Sequence, residues 1–206
     1  MKKNVLAILI GLGVLSSPVF ASPAASGLII SGTTFDTNDA FRFTNNSTSG
    51  ETILSLTWNL TAIGGFFDTT SIAPGASSTP LALSSSSSAV GAIFPDNAAQ
   101  NGLQTLTINF TDFNPGETLI FGVDTDFLSC LDCAGINGNG FINATATAIF
   151  SDGQARIGTY TATSAQGFGS EVSITTPTAI PEPGSMALLG LGLAGLGAIR
   201  RKGTRK

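Results

Sequence analysis

Asp124 and Asp126, followed in the next loop by Asp132, Asn137 and Asn139, are the side chains of this sequence best placed to do chemistry. In an extended strand, residues i and i+2 point to one face, so Asp124 and Asp126 would hold two carboxylates side by side. Such crowding is relieved by a hard cation, and Ca²⁺ takes about 6–8 oxygen ligands. The expectation is a Ca²⁺ site built on Asp124, Asp126 and Asp132, with a solvated acidic rim as the alternative. The spacing is not that of an EF-hand, whose ligands alternate around a glycine at the sixth place. Asp36, Asn38 and Asp39 form a second, weaker oxygen cluster.

Other chemistries are excluded by composition. The chain has no histidine, which removes Ser-His-Asp triads and His-ligated zinc. Cys130 and Cys133 are the only cysteines, two ligands short of a zinc site. In an oxidising compartment, a local disulfide between them is expected. Residues 22–179 contain no lysine, so a Ser-Lys dyad is also missing and only carboxylates remain as acids or bases. A paired-carboxylate hydrolase stays open as the least favoured reading, since such sites need aromatic platforms and the chain has one Trp and one Tyr. The expectation is a protein that is not an enzyme and needs no cofactor, Ca²⁺ aside.

The elements that must position these residues read as strands. Leu106, Ile108 and Phe110 alternate with Thr105, Thr107, Asn109 and Thr111 at a period of two. Asn114-Pro115-Gly116 then turns into Glu117–Phe127, where Leu119, Phe121, Val123 and Phe127 share a face, so an antiparallel hairpin is expected. Leu54, Leu56, Trp58 and Leu60 repeat the pattern, as do Phe41 with Phe43, and Ile142, Ala144, Ala146, Ala148 and Phe150. Asp152-Gly153 marks a turn into Gln154–Thr163. The fold class expected is all-β, a β-sandwich or jelly-roll-like ectodomain over residues 22–179. Its Ser/Pro-rich stretch 73–88 reads as a long loop, or as a linker between two small lobes.

The two ends are of a different kind. Lys2 and Lys3, an apolar run from Val5 to Leu15, and small residues ending in Ala21 have the form of a signal peptide over residues 1–21. At the other end, Pro181-Glu182-Pro183 precedes an apolar Leu/Gly/Ala run from Met186 to Ile199 and a basic cluster beginning Arg200-Arg201-Lys202. As a helix that run would span about 21 Å, short of a ~30 Å hydrocarbon core, so a single, thin membrane helix is expected. The basic cluster would hold its end in the cytoplasm. Without these termini, Arg42 and Arg156 stand against twelve carboxylates, a net charge near −10. That excludes nucleic acid as a partner, because phosphate binding needs clustered cations.

Residues 180–206 resemble the PEP-CTERM sorting signal of Gram-negative bacteria. The resemblance implies that a membrane protease, exosortase, recognises the segment and cuts near Pro181-Glu182-Pro183. The chain would then be exported, transiently anchored in the inner membrane, and delivered to the cell surface or outside. Because hosts of that family commonly make exopolysaccharide, it also implies a structural or adhesive role linked to exopolysaccharide or biofilm. The alternative is a carbohydrate- or calcium-binding module. Two prolines keep the Pro-Glu-Pro segment extended and poor in amide donors, a form that a protease cleft can accept.

Overall fold

Alternation of large apolar residues with Thr, Ser and Asn forces strands, because one set must leave water while the other stays in it. The computed structural model, which describes residues 22–72, 75, 79–131 and 134–175, is built this way. Among the described residues thirteen strands follow in chain order: β1 (Ala24–Ile30), β2 (Phe41–Asn45), β3 (Ile53–Asn59), β4 (Gly65–Asp68), β5 (Ala82–Leu83), β6 (Ala92–Ile93), β7 (Thr105–Phe113), β8 (Thr118–Gly122), β9 (Asp124–Phe127), β10 (Thr145–Phe150), β11 (Ala155–Thr159), β12 (Thr161–Ala162) and β13 (Phe168–Thr175). Six form an open sheet in the order β12-β13-β1-β2-β8-β5, and five another in the order β11-β10-β3-β7-β6. Strands β4 and β9 pair as a separate ribbon. All of these pairings are antiparallel.

The two large sheets share a core of aromatic rings, a sandwich-like arrangement. Phe41 of β2 stacks on Phe121 of β8 with centroids 4.9 Å apart. From the other sheet, Trp58 of β3 meets Phe121 edge-on at 5.1 Å and Phe43 at 5.8 Å. Trp58 is 1% exposed, and its Nε1–H donates to the Tyr160 hydroxyl at 3.0 Å, so its one polar atom is satisfied inside the core. Tyr160 stands between β11 and β12, where the chain passes from one large sheet to the other. The first strand and the last lie side by side, with Ala24 opposite Thr175.

Several expectations are corrected. Strands β7 and β8 do not form a hairpin: they belong to opposite sheets. The turn between them docks on Asn45, whose N–H donates to the Glu117 carbonyl at 3.1 Å and whose Nδ2 donates to the Phe113 carbonyl at 3.0 Å. That places Phe121 opposite Phe41, and the ring stack outweighs local closure. The expected strand Glu117–Phe127 breaks into β8 and β9, which pair with different partners. Leu54 leaves its stripe for solvent, because the register shifts between Ile53 and Ser55. Ile142 and Ala144, expected in one strand with Ala146, Ala148 and Phe150, precede it: Gly138–Phe141 forms a 3₁₀ turn and β10 begins only at Thr145. The stretch 73–88 is not all loop, since β5 adds an edge strand beside β8. The signal peptide and the C-terminal span lie outside the described residues. No helix among the described residues is long and apolar enough to cross a membrane.

Candidate functional site: buried carboxylates and a sorting segment

The β4–β9 ribbon places Asp68 directly across from Asp124, with Asp126 two residues further along the same strand. Directly opposite residues in an antiparallel pair share a face, as do residues two apart, so all three carboxylates converge. Each offers an oxygen within 4.8 Å of the others. All three are buried: Asp68 is 0% exposed, Asp124 1% and Asp126 2%. Sequence reasoning paired Asp124 with Asp126 but missed Asp68. Its signal was weak, a lone acid ending Gly65-Phe66-Phe67-Asp68, and only the pairing of β4 with β9 brings it in.

The surrounding backbone holds this arrangement. Thr125 N–H donates to Asp124 Oδ1 at 2.8 Å, and Asp124 N–H donates to the Thr79 carbonyl at 2.9 Å. Thr34 approaches from the loop after β1: its hydroxyl lies 2.9 Å from that of Thr125 and 3.4 Å from Asp124 Oδ1. Two glycines let the chain come this close. A Cβ on Gly75 would overlap the Asp68 carboxylate, and one on Gly135, where φ is +75°, would crowd Thr33 and Asp124.

Burial raises the Asp124 pKa to about 7, and the like charges of Asp126 and Asp68 push the same way. Its hydrogen bonds from Thr125 and Thr34 act in the opposite sense. Near neutrality the cluster can therefore hold a shared proton, or the carboxylates can face a divalent cation with hard oxygen donors.

Of the other expected ligands, Asn137 and Asn139 are exposed at the start of the 3₁₀ turn, and Asp132 lies outside the described residues. Asp36, Asn38 and Asp39 are exposed together on the loop before β2. Cys130 is exposed and disulfide-bonded, while Cys133 lies outside the described residues. Ala21, Pro181, Glu182, Pro183, Arg200, Arg201 and Lys202 also lie outside them.

The described residues thus define an acidic, mostly β domain with open sheets, a class that many functions share. The segment beyond its last strand is more particular. Residues 179–202 match the PEP-CTERM protein-sorting motif. That motif implies processing by exosortase, a membrane enzyme, with export and transient anchoring before surface delivery. No curated protein and no solved structure matches the chain.

Proposed function

We propose that the chain is a non-enzymatic structural or adhesive protein of the bacterial surface or extracellular matrix, delivered by exosortase and associated with exopolysaccharide. The observation that carries this reading is the sorting motif placed directly after the β domain: the last described strand ends at Thr175 and the match begins at 179. A cut near Pro181-Glu182-Pro183 would leave β13 whole. A signal-peptide cut after Ala21 would likewise leave β1 whole, whereas a cut after Ala25 would remove a residue that is 1% exposed in the core. The burial of Asp68, Asp124 and Asp126 argues against a glycosidase site at this cluster, because a polysaccharide bond cannot reach carboxylates 2% exposed or less.

Replacing Pro181, Glu182 and Pro183 together with alanine tests the reading in the native host. The expected result is retention in the membrane fraction and loss from the surface and medium. Unchanged release would contradict it. A second reading, a calcium-binding module, is favoured by the convergence of Asp68, Asp124 and Asp126.

A further inference from the structure

Strand β8 lies one step from the edge of the six-stranded sheet and has none of the usual protections of an edge. Its sequence Thr118-Leu119-Ile120-Phe121-Gly122 carries no charge and no proline, it pairs with β2 without a bulge, and residues 22–179 contain no lysine. The edge strand β5 is short and pairs with Phe121 and Gly122 alone. The serine run Ser84–Ser88 takes the rest of that edge. Ser88 Oγ accepts from the Thr118 N–H at 3.1 Å and Ser87 Oγ accepts from the Ile120 N–H at 3.1 Å, so side chains hold the amides that point away from β2. Ser88 N–H donates to the Thr118 carbonyl at 2.8 Å and Ser84 N–H to the Ile120 carbonyl at 2.9 Å. Between these contacts the run curls on itself: Ser87 N–H donates to the Ser84 carbonyl at 3.1 Å and Ser86 N–H to Ser84 Oγ at 3.2 Å. It therefore ends the ladder instead of offering a new edge. Leu81, 5% exposed, and Val90, 0% exposed, anchor this strap at both ends.

We infer that this strap is an edge guard: Ser87 and Ser88 keep β8 from accepting a strand of a second copy of the chain. An uncovered strand edge with apolar, β-favouring residues and no charge is a template for pairing. A serine hydroxyl satisfies an edge amide and, unlike a backbone strand, presents no further row of N–H and C=O groups to extend the sheet. Two β8 edges brought together antiparallel about a two-fold axis would match residue for residue, so a second copy supplies the complementary strand by itself. The net charge near −10 on each domain repels only over a Debye length, about 8 Å in physiological salt, and β8 adds no charge to it. The hydroxyls on its amides are what stand between this edge and a partner strand.

The test compares mature proteins purified from the native host, by sedimentation velocity over a wide concentration range in physiological salt. Ser87→Ala with Ser88→Ala removes both hydroxyl acceptors, and Ser87→Thr with Ser88→Thr keeps them. Ser85→Ala with Ser86→Ala is the control, since those residues are exposed and their side chains hold no β8 amide. A parent, control and threonine pair that stay monomeric, beside an alanine pair that dimerises or grows larger with concentration, support the inference. Hydrogen exchange must then show the Thr118 and Ile120 amides protected in the associated form and exchanging quickly in the dilute one. A folded alanine pair that stays monomeric at every concentration would overturn the guard. So would association that leaves those two amides unprotected, or a parent that already associates through them. Should the alanine pair not fold, Ser87→Ala and Ser88→Ala singly take its place, and two folded single variants as monomeric as the parent would overturn it.

Discussion

At the scale of single residues, Asp124 sets how the domain responds to pH. Its pKa rises from 3.8 to about 7 on folding, chiefly through burial, so between those values the folded chain binds a proton that the unfolded chain has released. Stability then falls as pH rises from about 4 to about 7 and levels off above, a loss on the order of a few kcal/mol. Asp124→Asn, which cannot ionise, should flatten that slope in chelator-treated protein, as followed by urea melts at stepped pH. A slope unchanged by the variant would remove Asp124 as its source. A divalent cation reverses the balance, because its ligands must be deprotonated. Millimolar Ca²⁺ should therefore raise the melting temperature at pH 8 and do so less at pH 5. Identical melts in Ca²⁺ and in chelator at both pH values would refute a metal role for Asp68, Asp124 and Asp126.

At the scale of elements, strand identity follows from alternation, and partner choice follows from contacts far apart in sequence. The rows Leu106-Ile108-Phe110 and Ala146-Ala148-Phe150 were legible because each apolar residue is flanked by polar ones. The hairpin expected at Asn114-Pro115-Gly116 was not formed, because Asn45 and the Phe41–Phe121 stack capture β8 for the other sheet. The same limit hid Asp68, whose neighbour Asp124 is brought near only by a pairing between distant segments. The sheet change at Tyr160 gives this level its test. Tyr160→Phe leaves the buried Trp58 N–H without its acceptor and should cost about 1–3 kcal/mol. A denaturation midpoint equal to that of the parent would show that the bond adds nothing to the sandwich.

At the scale of the molecule, both ends of the domain meet in one sheet, with Ala24 beside Thr175. The carboxylate cluster instead neighbours the loop that follows Ile30, at the other end of β1. Both terminal segments can be lost without losing any of the thirteen described strands. The sequence made that segment plain through three ordered features, Pro-Glu-Pro, an apolar run and a basic end, because a processing enzyme reads local chain. It left the ectodomain's partner obscure, because a folded surface is assembled from strands distant in sequence and has no linear signature.

The sorting account is tested most directly by the intact mass of the protein isolated from the surface of its native host. A mature chain beginning near Ser22 and ending near Pro183, with or without an attached group, is the expected result. A chain that still carries Lys206 would contradict it.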